Sequence, residues 1–325
     1  MGSGQQVGFT KRHLTQPLRQ KSRIVRRRRC VPSFRIPNAD FMTIRVIPIQ
    51  TGWARMKAAQ RCGRDGRSAF GRKFDIIRDK TWIDRLPILV WLIEHPEGRF
   101  LVDTGDTAEN STPGYLPWWN PFFTKMVQIK VAPVEEVGFR LQAMGLDPDQ
   151  DIEAVILTHY HHDHTGGLHH FPHNRIVGPR DGWRLARSFK GKMTGCLPQR
   201  WPIWLNPELV DLDGPPVGPF PSSHPITKDG RIFLVPTPGH FRGHVAVVAR
   251  GEDVTYFFAG DATYAQEDLA ADRVDGVTNN PDQSLATLKA IKAFAMQEPT
   301  IILPAHDLDG LRRLAAGEVF TTHTP

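Results

Sequence analysis

The run Thr158-His159-Tyr160-His161-His162-Asp163-His164 places four histidines and one aspartate in seven consecutive positions. It follows directly on Ala154–Leu157, a short apolar segment that reads as a strand. In extended backbone, residues two apart point to the same side. A turn at the strand end therefore aims His159 and His161 at one point, while Asp163 and His164 reach a second point beside it. Imidazole with a carboxylate suits zinc, iron, cobalt or nickel. Gly166 and Gly167 let the chain turn sharply behind the run. Taken alone, the run also reads as a solvated histidine-rich loop.

Three further elements repeat the arrangement. VPTPGH puts His240 after the strand Ile232–Val235, FFAGDATY puts Asp261 after Val254–Phe258, and IILPAH puts His306 after Ile301–Leu303. Polar groups on loops at strand ends are how a rigid scaffold holds a site. The chain must therefore bring four strand ends together. Other strands are expected at Met42–Ile49, at Leu86–Glu94 and at Arg99–Val102, the last two joined by the HPEG turn. Helices are expected over Val134–Met144, Pro179–Ser188 and Pro281–Met296, and Gly145 caps the first. Residues 51–86 read as loop or short helix, and the Pro-rich 197–230 as a long surface excursion. Clusters of strands with helices between them suggest sheets packed on each other with helices outside. Composition does not separate that from a doubly wound sheet.

Of the 325 residues, 40% are apolar and 23% charged, as in a soluble globular chain. No apolar run reaches membrane-spanning length. Residues 1–40 hold ten Lys or Arg and one acid, a charge of +9; against a total of +7, the rest carries −2. The basic balance thus describes a tail. Residues 1–41 read as a disordered extension, or as a segment upstream of a start at Met42, and 42–325 as one hydrolase domain. No apolar core follows the arginines, so the tail is no signal peptide; a transit peptide is the weaker alternative. Cys30, Cys62 and Cys196 have no CxxC spacing, which argues against a disulfide framework and for a cytoplasmic setting.

The combined motifs resemble the metallo-β-lactamase superfamily over residues 42–315. The matching marks are HxHxDH (His159, His161, Asp163, His164), then His240, Asp261 and His306, with Asp103 of LVDTG ahead of them. The resemblance implies an αββα sandwich, an α/β fold of two mixed sheets with helices outside, and two divalent ions. Zinc is the first expectation, with iron, cobalt or manganese also compatible. It implies that His159, His161 and His240 hold one ion, that Asp163, His164 and His306 hold the other, and that Asp261 bridges them. Asp103 would orient ligands from behind. His244 is expected to do likewise or to pack in a strand.

The superfamily cleaves β-lactams, thioesters, phosphodiesters and lactones, so the ligands alone do not set the substrate. Tyr264, three residues after Asp261, and the stretches HPEGRFLVDTGD and GPRDGW look similar to the N-acyl-homoserine lactonase branch. That likeness implies hydrolytic opening of an acylated homoserine lactone, with attack by a hydroxide shared by the two ions. Tyr264 would stabilise the oxyanion and Asp163 would pass a proton to the leaving oxygen. An acyl chain needs an apolar groove. Tyr115, Trp118, Trp119, Phe122 and Phe123 are expected to line it, with Trp53, Met56, Trp201 and Trp204; packing on the core or a homodimer contact is the competing reading.

His162 sits at the variable position of the signature and is expected to point away. His169, His170 and His173 read as decoration of the following helix and loop, and His13, His95, His224 and His323 as surface. Two alternatives to the lactonase are carried. One is another binuclear hydrolase of this fold acting on an ester, thioester or organophosphate. The other is nucleic-acid processing or binding, supported only by the basic tail.

Overall fold

A computed structural model describes residues 1–2 and 43–321. The basic segment, Cys30, His13, the Met42 start and His323 lie outside the described residues.

Seven strands form the first sheet: β1 (Arg45–Met56), β2 (Leu86–His95), β3 (Gly98–Val102), β4 (Val127–Lys130), β5 (Ala154–Ile156), β6 (Arg175–Pro179) and β7 (Glu208–Val210), in the order β4-β1-β2-β3-β5-β6-β7. Five form the second: β8 (His224–Pro225), β9 (Ile232–Pro236), β10 (Val245–Arg250), β11 (Thr255–Gly260) and β12 (Thr300–Pro304), in the order β12-β11-β10-β9-β8. Both sheets are mixed. The β2–β3 hairpin is antiparallel, whereas β3–β5–β6–β7 and β11–β12 run parallel.

The layering follows from alternation along each strand. In β2, Leu89, Trp91 and Ile93 face a central core shared with Val245, Val247 and Ala249 of β10 and with Phe258 of β11. Val90 and Leu92 point outward, onto Val137 and Leu141 of the helix Val137–Ala143. On the other side, Ala246, Val248 and Phe257 point outward onto Leu288, Ile291 and Phe294 of the helix Pro281–Ala295. The order is helix, sheet, sheet, helix: an αββα sandwich. Each large apolar side chain buried in these layers stabilises by about 1.5–3 kcal/mol.

Three local readings are corrected. The first strand does not stop at Ile49 but continues to Met56, through a bulge between Gln50 and Trp53. The Pro-rich segment 197–230 is more than a surface excursion. It adds an edge strand to each sheet, and Phe220 and Val210 are buried. The helix expected from Val134 begins at Val137, after a separate turn over Pro133–Glu135.

At one end of the sandwich the sheets are stitched together by backbone hydrogen bonds. The Val245 N–H donates to Thr158 O at 3.0 Å and the Leu89 N–H to Ala305 O at 2.9 Å. The residues after β3, β5, β9, β11 and β12 meet there.

Candidate metal centre

Seven of the side chains singled out above form a two-lobed cage at this end. In the first lobe, His159 Nε2 lies 2.9 Å and His240 Nε2 3.1 Å from His161 Nδ1. In the second, His306 Nε2 lies 3.5 Å from Asp163 Oδ2, and His164 Nε2 lies 3.9 Å from Asp163 Oδ1. Asp261 stands between them. Its Oδ2 is 3.4 Å from His240 Nε2, while its Oδ1 is 3.2 Å from His164 Nε2 and 3.3 Å from His306 Nε2. The ligand atoms of His159, His161, His240 and Asp261 all lie within 4.8 Å of one another, as do those of Asp163, His164 and His306.

The rings are held from behind in one tautomer. His306 Nδ1–H donates to Pro87 O at 2.9 Å, so Nε2 is the nitrogen turned to the cage. His164 Nδ1 bonds Asp103 Oδ2 at 2.8 Å. The Thr158 hydroxyl also donates to Asp103 Oδ2, at 2.8 Å, and so is free to accept from His159 Nδ1 at 3.1 Å. His240 Nδ1 faces Asp275 Oδ2 at 3.4 Å. Asp103 has φ +62°, a conformation that non-glycine residues seldom adopt and aspartate tolerates better than most. Such backing sets which nitrogen faces an ion.

The inner atoms are left without partners. His164 Nε2 and Asp261 Oδ1 are buried and have no hydrogen bond. Leaving such groups unsatisfied costs about 1–3 kcal/mol each, more when charged. A cation between them removes that cost, and histidine nitrogen with carboxylate oxygen is a donor set for divalent zinc-like ions. The residues present therefore fit two such ions.

The electrostatics point the same way. Burial, helped by neighbouring imidazoles, holds His159 and His161 well below the ordinary histidine range. Both are neutral donors. In the second lobe burial also opposes charge, but Asp261, Asp163 and Asp103 win, raising His164 and carrying His306 up to about 10. For Asp163 and Asp261, burial pushes upward and the facing histidines hold them down, so both are ionised. The first lobe thus offers open lone pairs, and in the second the ionised carboxylates draw positive charge onto the facing imidazoles, the charge a metal ion would replace.

His244 backs Asp261. Its Nε2 accepts the Asp261 N–H at 3.2 Å and its Nδ1 bonds Thr237 Oγ1 at 2.8 Å. Burial, with His240 nearby, lowers it to about 3 and keeps it neutral. Gly260, at φ +50°, leaves no room for a side chain there, since a Cβ would sit 2.8 Å from His244 Nε2. Tyr264 is buried between the lobes, its ring 6.1 Å from that of His240 and 5.6 Å from that of His306, with Gln60 beside its hydroxyl. Burial, then Asp275 and Asp261, push the phenol well up, so it stays protonated. It lines a cleft of about 360 Å³ together with His306, Leu86, Gln266 and Arg61.

The aromatic residues expected to line a groove do not form one wall. Phe122 and Phe123 pack edge-on to His162, at 6.3 and 4.8 Å, and Phe122 lies against Gly195 beside His161. Trp119 stacks on Phe189 at 6.1 Å, Trp118 is 84% exposed, and Tyr115 lies under the Arg200 guanidinium. Met56 is buried. Trp53 lines a separate polar hollow with Arg55, Arg85 and Lys130. Trp201 stacks on Trp183 at 5.0 Å and donates to Thr165 Oγ1, and Trp204 is half exposed.

His162 points away from the cage, to a buried pair with Asp106 at 2.8 Å. Burial opposes its charge, but Asp106 raises it. Asp106, Thr158 and Asp275 contact the cage or the loop behind it and are not singled out by the sequence reading. Asp106 shares the LVDTGD stretch with Asp103, and Thr158 precedes the signature. Asp275 has no local signal.

This fold and cage define a metallo-hydrolase: the sequence pattern of the metallo-beta-lactamase superfamily matches residues 83–306, and the chain belongs to that superfamily. Among its relatives is an N-acyl homoserine lactonase of Bacillus thuringiensis, 27% identical over 225 residues that cover 69% of this chain and 82% of the relative. Its fold is similar to that of a single-site variant of B. thuringiensis AiiA with N-decanoyl-L-homoserine bound at the active site. That similarity has a TM-score of 0.65 at 20% identity and covers 83% of this chain and 96% of the other. A dizinc quorum-quenching lactonase, AidC, in complex with a hydrolysis product, is similar at TM-score 0.57 and 16% identity, over 82% and 88% of the two chains. Among the described residues no helix is long and apolar enough to cross a membrane.

Proposed function

We propose that the protein opens the lactone ring of N-acyl homoserine lactones by metal-dependent hydrolysis. His159, His161 and His240 would hold one ion, Asp163, His164 and His306 the other, and Asp261 would bridge them. The observation that carries the reading is Asp261 itself. Its two oxygens face opposite lobes, Oδ2 3.4 Å from His240 and Oδ1 3.2 Å from His164. The sequence likeness to the B. thuringiensis lactonase, which spans most of that enzyme, supports the substrate class. Zinc is the metal the donor set suits first.

When bound, such ions would supply a water made acidic enough to attack near neutral pH and would polarise a carbonyl oxygen. The chain's own groups do the rest. Tyr264, protonated and placed between the lobes, donates a hydrogen bond to the oxyanion that forms as the carbonyl becomes tetrahedral. Asp163, ionised at the rim of the second lobe, takes the proton that the attacking water gives up and passes it to the ring oxygen as its bond to the acyl carbon breaks. Phe122, beside His161, offers apolar surface for the start of an acyl chain, and Trp119 with Phe189 offers more on the outer rim. The cell's own signal lactones, or those of its neighbours, would be the physiological substrates, in the cytoplasm.

The test is mass spectrometry of long-chain N-acyl homoserine lactone incubated with metal-loaded protein and with an EDTA-stripped control. Gain of one water, reversed when acid recloses the ring, supports the proposal. Release of a free fatty acid means amide cleavage, and no change at full metal occupancy withdraws the lactone assignment.

A further inference from the structure

Outside the cage, a second set of metal-type donors converges. Glu136, at the start of the helix Val137–Ala143, points its Oε2 at His169 Nε2 (3.0 Å) and at His170 Nε2 (2.8 Å), from the turn just after the signature. The two rings lie 4.0 Å apart. All three ligand atoms fall within 4.8 Å of one another. The other Glu136 oxygen is already committed, accepting from the Ala108 N–H at 2.8 Å and the Thr107 hydroxyl at 3.1 Å. One oxygen is therefore left to face both imidazoles.

The hydrogen bonds around His169 sharpen the point. Its Nδ1 lies 3.1 Å from Gly166 O, which can only accept, so Nδ1 carries the hydrogen. A ring so fixed turns its Nε2 onto the Glu136 carboxylate oxygen. Either a proton on Nε2 or a cation between the two satisfies that contact, and the convergence of a third donor, His170 Nε2, is what favours the cation. His170 is pinned as well, since its ring fills the space over Gly138, where a Cβ would come within 2.3 Å of Nδ1. The His169 side chain is 46% exposed, so an ion can enter and water can complete its coordination. Zinc binds such donors at about 2.0–2.2 Å, which sets tetrahedral donors roughly 3.4 Å apart. The observed contacts need to open by only about half an ångström.

We infer that Glu136, His169 and His170 form a further binding site for a divalent zinc-like ion, separate from the two-lobed cage. An ion there joins the start of the 137–143 helix to the turn that follows the signature. Through Thr107 and Ala108 it also ties in the loop that begins at Asp103, so its occupancy would tune how firmly the cage is backed.

The experiment is equilibrium dialysis of the full chain against excess zinc, with bound metal counted by elemental analysis, for the wild type, His169→Ala and Glu136→Gln. The expected result is one equivalent fewer in each variant than in the wild type, with circular dichroism unchanged. The half-exposed His169 can be truncated without disturbing the core, so at least that variant folds. The difference is read whatever the cage itself holds, so a wrong count for the cage does not hide it. Equal counts in wild type and His169→Ala overturn the inference. They would mean that protons alone hold the cluster together, or that any extra zinc sits elsewhere.

Discussion

His164 Nδ1 and Asp103 Oδ2 are 2.8 Å apart, and the same carboxylate oxygen accepts the Thr158 hydroxyl that backs His159. One side chain thus orients a ring in each lobe. Asp103→Asn keeps the size and the tolerance of positive φ but turns an acceptor into a mixed donor and acceptor. Loss of such backing typically costs 10–100-fold in metal affinity or activity. The expected outcome is a roughly 10–100-fold fall in zinc affinity, read by competition with a chromophoric chelator.

His162 and Asp106 make a buried ion pair behind the same loop, with side chains 4% and 2% exposed. Removing Asp106 breaks this pair beside Phe122 and Phe123 and also strips the acceptor from the Thr107 N–H and the Asn110 amide, leaving several buried polar groups unsatisfied. Asp106→Ala is expected to destabilise the fold by about 3–5 kcal/mol, measured by urea unfolding of the metal-free protein. Asp106→Asn, which keeps a hydrogen-bond acceptor, should cost less.

Tyr264 stands between the lobes and can donate to an oxyanion without itself holding metal. Tyr264→Phe is expected to lower kcat by about 10²-fold with KM little changed and metal content intact. Steady-state kinetics on an N-acyl homoserine lactone, with metal analysis of the same sample, checks it. Full kcat in the variant would remove the tyrosine from the mechanism.

How much of this was readable in sequence depended on distance along the chain. The signature, and the histidine or aspartate after each of three other strands, are local patterns, because a strand end fixes where the next side chain points. The hairpin at His95–Gly98 and the helix Pro281–Ala295 are local in the same sense. What the sequence hides is pairing between distant segments. Asp275 reaches His240 across 35 positions and Glu136 reaches His170 across 34, with no spacing rule linking them. The strand β6 is short and buried from Ile176 to Pro179, so it shows no alternation. The aromatic cluster from Tyr115 to Phe123 advertises apolar surface but not direction. Its members diverge to His162, Phe189 and Arg200.

His95 closes the β2–β3 hairpin with its ring buried, Nδ1 accepting the Glu97 N–H at 3.1 Å and Nε2 facing Asp229 at 3.0 Å. Burial lowers its pKa despite Asp229. The unfolded chain takes up a proton at about pH 6.5, the folded chain only at lower pH. Neutral His95 therefore contributes stability that is present above about pH 6.5 and is lost as pH falls from there towards its folded pKa. His95→Gln should have a lower Tm than wild type at pH 8 but a flatter decline between about pH 7 and 5. Thermal melts of the two proteins across that range decide it, and parallel declines would mean that His95 does not titrate there.

The most direct test of the account is hydrolysis of an N-acyl homoserine lactone in water enriched in heavy oxygen, using zinc-loaded protein. Attack at the acyl carbon places the label in the new carboxylate, and tandem mass spectrometry should find it there and nowhere else, with turnover abolished by EDTA. Label in the homoserine hydroxyl, or intact lactone in the presence of fully loaded protein, would contradict the assignment of this cage to lactone opening.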